Sequence, residues 1–294
     1  MLPLQTSYES LYREYRWRIP ERYNIGVDIC DTWADGSGRL AQIYEKRDGT
    51  LQRYSFDALR RLSNRTANLF LACGLGRKAR VGILLPQQPE TALALIAAYK
   101  TGSVAVPLFT LFGLDAFRYR IADSGARLIV TDSAGAEKIA QIRGELPQLE
   151  NVLCIDGPAS GAESFHDALN CASDNFEPNP TAADDPALII YTSGTAGDPK
   201  GALLPHRSLL GHLPGIEMSH NFLGRAGDLM WTPADWAWIG GLMDVLFAAW
   251  HHGIPVLARR CSMSSRGLLA RLRQAIALQL STTKVTQCYR ASRG

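Results

Sequence analysis

RVGILLPQQPETALALIAAYKTGSVAVPL spans residues 80–108, and its parts read as three consecutive elements. RVGILLP is a short apolar run closed by Pro86, the pattern of a buried strand. PETALALIAAYKTG has Glu90 in its first turn, Ala and Leu through its middle and Gly102 at its end, which predicts a helix. SVAVPL is a second short strand. Two near-continuous apolar strands joined by one helix predict a parallel βαβ unit with both sheet faces covered, and so an α/β fold.

The alternation continues downstream. GLDAFRYRIADSG (113–125) predicts a helix stopped by Gly125, ARLIVTD (126–132) a strand, SAGAEKIAQIRGEL (133–146) a helix with Ser133 as N-cap, and NVLCID (151–156) a strand. Residues 157–186 lose this periodicity and read as a surface connection, with one short helix at Ser164 to Asn170. ALIIYTSG returns to strand. RSLLGHLPGIEMSHN (207–221) predicts a helix broken at Pro214-Gly215, DLMWTP (228–233) a strand, WIGGLMDVLFAAWHHG (238–253) a helix and IPVLA (254–258) a strand.

Composition excludes several classes. The 294 residues are 46% hydrophobic and 20% charged, which suits a globular chain with a substantial core. No run reaches the roughly 18 apolar residues of a membrane span. The N-terminus lacks a basic-then-apolar signal pattern, and Glu9 and Glu14 argue against a transit peptide, so the expected compartment is the cytoplasm. Six scattered cysteines form no CxxC pair, and the histidines show no metal-ligand spacing; His251-His252 reads as favourable charge at a helix C-terminus. Residues 259–294 hold eight Lys/Arg and no acid, yet show no nucleic-acid motif, so no nucleic-acid partner is expected.

YTSGTAGDPKG (191–201) directly follows the strand ALIIYT. In α/β sheets, ligands bind beyond the carboxyl ends of the strands. Gly194, Gly197 and Gly201 permit backbone angles that let successive N–H groups converge on an anion. Thr192, Ser193 and Thr195 add hydroxyl donors, and Lys200 adds a compact positive charge. The alternative is a solvent-exposed turn. A Walker A loop needs GxxxxGK[ST]; here Pro199 precedes Lys200 and Gly201 follows it, so an ordinary P-loop is disfavoured.

This segment closely resembles the phosphate-loop signature of the AMP-forming adenylating superfamily, which includes acyl-CoA synthetases, luciferases and peptide-synthetase adenylation domains. Residues 16–34, 54–70, 80–113, 204–210 and 231–257 look like acyl-CoA synthetases of the acetyl- and medium-chain branch. The resemblance implies a two-step reaction. A carboxylate attacks the α-phosphate of Mg-ATP to give acyl-AMP and pyrophosphate, and the thiol of CoA then displaces AMP. By match to the family loop, Thr192, Ser193, Gly194, Thr195, Gly197 and Lys200 would hold the β- and γ-phosphates. Ala196 stands where the family pattern has Thr or Ser, removing one donor. ADWAWIGG (234–241) resembles the segment that begins the acyl pocket, which would place Trp238 and Gly241 along it, with Trp236 nearby. Trp231 and Trp250 read as core aromatics, His206 as an anchor of the turn after the loop, and Asp235 as a helix cap. The implied small molecules are a short- or medium-chain carboxylate, ATP with Mg2+, and CoA.

The superfamily's later motifs do not occur in this sequence: a YGxTE-like metal-binding segment, a ribose-binding TGD and a C-terminal lysine. Residues 1–260 are therefore expected to be an incomplete N-terminal AMP-binding domain of βαβ subdomains, inactive alone. Residues 261–294 are read as a basic tail of non-native origin, the alternative being a real basic helix at Gly267 to Leu280. Two other functions stay open: a non-catalytic nucleotide-binding fragment, and an adenylation domain serving a carrier protein.

Overall fold

The computed structural model describes residues 2, 7–159, 161–192, 198–225 and 227–259. In chain order these form α1 (Tyr8–Glu14), α2 (Ile25–Ile29), β1 (Leu40–Glu45), β2 (Leu51–Ser55), α3 (Phe56–Ala72), β3 (Arg80–Leu84), α4 (Pro89–Lys100), β4 (Val104–Pro107), α5 (Leu114–Ser124), β5 (Leu128–Thr131) and α6 (Ser133–Ile142). They continue as β6 (Asn151–Cys154), β7 (Glu163–Ser164), α7 (Phe165–Cys171), β8 (Pro186–Thr192), β9 (Lys200–Pro205), α8 (Ser208–Ser219), α9 (Ile239–Gly241), a π-helical stretch Leu242–Phe247, α10 (Ala248–His251) and β10 (Val256–Arg259).

The main sheet has seven strands in the order β7-β6-β5-β3-β4-β8-β9. Its neighbours are parallel except for the β8–β9 hairpin. Successive strand residues face opposite sides. Leu128 and Val130 of β5 enter one apolar cluster with α4, while Ile129 enters the other with Phe117 and Ile121 of α5. The helix after β3 therefore covers one face and the helix after β4 covers the other. Loops leaving adjacent strands for opposite faces splay apart, which opens a crevice at the carboxyl edge between β3 and β4.

α4 is apolar almost all round, and every residue except Glu90 is buried, because it is packed among the sheet, α2 and α3. Its one buried charge, Lys100, is met by Asp31 at 2.6 Å, Asn64 at 2.8 Å and Ser63 at 3.0 Å. A second sheet of three strands, β10-β1-β2, stands beside the crevice. β10 runs parallel to β1, and β2 returns through a turn whose Gly49 has φ 85°. The indole N–H of buried Trp250 donates to the Ala41 carbonyl at 2.8 Å and ties α10 to this sheet.

Several local expectations change. Asp132, not Ser133, caps α6: its carboxylate accepts the Gly135 N–H at 2.9 Å. α8 runs unbroken through Pro214 because buried Leu209, Leu210 and Leu213 hold it against the following helix, offsetting the lost backbone bond. DLMWTP makes one bridge, Met230 to Val256, rather than a strand. The helix predicted over 238–253 begins at Ile239 and winds wide through its π-helical middle. The stretch 261–294 lies outside the described residues. Among the described residues no helix is long and apolar enough to cross a membrane.

Candidate active site

A cleft of about 810 Å³ opens at the crevice. Pro86 and Gln87 enter it from the end of β3, and Phe109, Thr110 and Leu111 from the end of β4. The segment Pro233 to Asp235 and the ring of Trp238 form a further wall. The ends of β1 and β10 bring Lys46, Arg47 and Arg259 to the same space, with the Arg259 guanidinium 3.5 Å from Glu45.

The two tryptophans of ADWAW separate sharply. Trp236 is 1% exposed and belongs to the core, whereas Trp238 is 37% exposed in the cleft wall. The Trp238 ring lies 5.4 Å from that of Phe109 and 6.1 Å from that of Phe112, an aromatic group at the apolar end of the cleft. Trp231 packs in a small cluster with Ile43, Leu229 and Leu257. Gly241 has a steric reason to be glycine: a Cβ there would lie 2.5 Å from the Asp235 carbonyl oxygen and 2.8 Å from that of Ala234. The wall can cross the helix start so closely only because no side chain intervenes.

Asp235 does not cap the helix. Its carboxylate accepts the Ala237 N–H at 2.8 Å, closing a turn, and the N-cap position is Trp238. Burial pushes its carboxyl up to about 6, against the stabilising bond from Ala237. Gln87, 5% exposed, reaches across the cleft floor: its amide nitrogen donates to the carbonyls of Thr232 at 3.1 Å and Ala234 at 2.6 Å. His206 is fully buried and anchors the turn after β9. Its Nδ1 accepts the Ile25 N–H at 3.2 Å, and burial pulls the imidazole down to about 4 against the attraction of Asp185.

Thr192 ends β8 and Lys200 begins β9; both are exposed, on the same carboxyl edge as Pro107 of β4. Ser193, Gly194, Thr195 and Gly197 lie outside the described residues. A physical link joins the root of this hairpin to the aromatic wall. The Arg120 guanidinium stacks 4.2 Å from the centre of the Phe112 ring and 5.5 Å from that of Tyr191. Gln87 and Arg120 escaped the sequence reading, because a lone glutamine in a turn and a lone arginine in a helix carry no motif.

The chemistry available is thus a hydroxyl- and lysine-bearing hairpin end beside a cleft with aromatic and cationic walls. Among the described residues no group of three His, Cys, Asp or Glu side chains could hold a metal ion.

Comparison with known proteins gives this site a context. The acyl-coenzyme A synthetase ACSM3, mitochondrial, of Mus musculus is 30% identical over 267 residues, 86% of this chain and 45% of that protein. The acetyl-coenzyme A synthetase of Gemmatimonas aurantiaca is 29% identical over 267 residues, 82% of this chain and 40% of that protein. The chain thus spans less than half the length of these relatives. The crystal structure of a Brucella canis acyl-CoA synthetase superposes with a TM-score of 0.82 at 26% identity, over 91% of this chain and 50% of that one. The family described as AMP-binding enzyme matches residues 31–279, extending past β10 into the basic stretch, and with most of its length so matched the chain belongs to that family.

Proposed function

We propose that this chain carries the phosphate loop and one wall of the acyl pocket of an AMP-forming acyl-CoA synthetase. The observation that carries the reading is positional. The hairpin end at Thr192 and Lys200 leaves the same sheet edge as the cleft that contains Trp238. ATP would lay its β- and γ-phosphates on Thr192, Ser193, Gly194, Thr195, Gly197 and Lys200. The carboxylate would enter between Trp238 and the segment held by Gly241, bringing its oxygen to the α-phosphate. CoA would take the acyl group from the resulting acyl-AMP.

The chain's own contribution is charge stabilisation and in-line placement of the leaving pyrophosphate, through donors fixed before the reaction. Mg2+ would neutralise phosphate charge when bound. The part assigned to this chain is the phosphate cradle and the acyl wall. Trp238 favours a short or medium acyl chain, since its ring takes up depth at the apolar end. The proposed compartment is the cytoplasm, which fractionation of the expressing cells would check.

Calorimetry of ATP and AMP binding tests the reading. ATP should bind more tightly than AMP, with the difference removed by Lys200→Ala. Equal affinities in the unaltered chain would exclude a phosphate cradle at this hairpin.

A further inference from the structure

We propose that Gln87 is the positioning residue of the cleft: its amide clasps the Thr232–Asp235 wall to the end of β3 and thereby sets where the Trp238 ring stands. The consequence for ligands rests on the acyl-pocket reading above; the clasp itself rests on geometry.

Both amide protons of Gln87 are committed, one to Thr232 O at 3.1 Å and one to Ala234 O at 2.6 Å. Two carbonyl acceptors fix which end of the amide is nitrogen. Its oxygen is then turned to the backbone N–H of Arg259, 3.5 Å away at the end of β10. One side chain thus touches the main sheet, the cleft wall and the small sheet. Among the described residues, these are the only hydrogen bonds from the wall segment 232–235 to the main sheet. The other bonds of the wall run along its own stretch of chain: Ala234 N–H to Thr232 Oγ1, Ala237 N–H to Asp235 Oδ1, Trp238 N–H to the Asp235 carbonyl, and Leu242 N–H to the Trp238 carbonyl. These bonds make it a single turn, with Trp238 at the end that leads into α9. Losing the clasp leaves the buried Thr232 carbonyl and the half-buried Ala234 carbonyl without that donor, so the turn shifts or takes in water.

The test uses the intact chain with Gln87→Ala and Gln87→Glu, each with and without Trp238→Phe. Hydrogen exchange of residues 232–238 should rise about tenfold or more in Gln87→Ala, while β3, β4 and β5 keep their protection. Acrylamide quenching of tryptophan emission should increase, and the increase should vanish in the Trp238→Phe background. In Gln87→Glu the same signature should appear at neutral pH and recede on acidification, because a carboxylic acid regains one donor and a carboxylate has none. Asp235 and Glu45 line the same cleft beside Lys46, Arg47 and Arg259, so Gln87→Ala, which keeps all of them, is the control. Binding of octanoyl sulfamoyl-adenosine, an acyl-AMP mimic, should weaken about tenfold in Gln87→Ala with ATP affinity unchanged.

Unchanged exchange and quenching in Gln87→Ala would overturn the proposal. So would an equal loss of protection across the β-strands in both variants, which makes Gln87 a general fold residue, or a Gln87→Glu signature that ignores pH. If the unaltered chain binds neither nucleotide, the acyl-CoA synthetase reading fails, while exchange and quenching still decide the clasp.

Discussion

Thr192 and Lys200 are partners on the last rung of the β8–β9 pairing, facing each other where the hairpin opens at the carboxyl edge of the main sheet. The rung fixes the backbone positions of both while their side chains stay exposed. A lysine so placed carries charge to a ligand at little cost to the fold. Lys200→Ala should therefore leave the unfolding midpoint within experimental error. ATP affinity should fall about 10- to 100-fold, the worth of a charge-assisted bond of about 1.5 to 3 kcal/mol. AMP, lacking the outer phosphates, should bind as before. Calorimetry with both nucleotides reads the difference, and equal losses would remove Lys200 from the phosphate site.

The Trp238 ring is tilted against Phe109 and edge-on to Phe112 in the wall of the cleft. Trp238→Ala should favour longer acyl chains. Each methylene newly buried contributes about 0.8 kcal/mol, so three or four should raise relative affinity on the order of 100-fold. Competition between acetyl and octanoyl sulfamoyl-adenosine measures the preference. An unchanged ratio in a folded variant would return Trp238 to a packing role.

What the sequence made legible follows from how local each signal is. The βαβ series from Arg80 to Cys154 is written in contiguous apolar runs and glycine stops, so its elements could be read in place. The small sheet could not: β1 needs β10, more than 200 residues later, as its parallel neighbour, and no local pattern announces that pairing. DLMWTP has strand composition but finds only one bridging partner, at Val256. Trp236 and Trp238 look alike in the sequence, and only the turn closed by Asp235 buries one and presents the other. Gln87 and Arg120 act through the backbone carbonyls and rings that the fold brings to them, which a residue string does not display.

His206 should act as an acid-sensitive anchor. Its neutral ring accepts the Ile25 N–H, and its folded pKa, about 4, lies below the ordinary 6.5. Between these values the unfolded chain binds the proton and the folded chain does not. Its contribution to stability is therefore complete above about pH 6.5 and lost as the pH falls towards 4, on the order of 3 kcal/mol in all. His206→Gln, which keeps an acceptor but does not titrate, should flatten that part of the urea-stability profile. His206→Ala should cost about 2 to 4 kcal/mol at neutral pH, from the stranded N–H and the cavity. A profile in His206→Gln that still falls as steeply over this range would place the acid sensitivity elsewhere.

Asp235 should give a pH profile of the opposite sign. Its folded pKa is raised from 3.8 to about 6 because burial in the wall penalises the carboxylate. Between these values the folded chain holds a proton that the unfolded chain has released. Stability therefore falls as the pH rises through this window, and above it the ionised carboxylate burdens the fold by about 2 to 3 kcal/mol. Asparagine keeps an oxygen for the Ala237 N–H at the same length and carries no charge. Asp235→Asn should thus match the unaltered chain below about pH 4 and exceed it by that amount above about pH 6. Taking the difference between the two chains cancels His206 and every other group common to both. Urea unfolding across this range measures it directly. A difference that is constant with pH would mean that Asp235 ionises in the folded chain as freely as in water. The turn that presents Trp238 would then be held by the Asp235 bond to Ala237 and the Gln87 clasp, with no ionisation penalty to overcome.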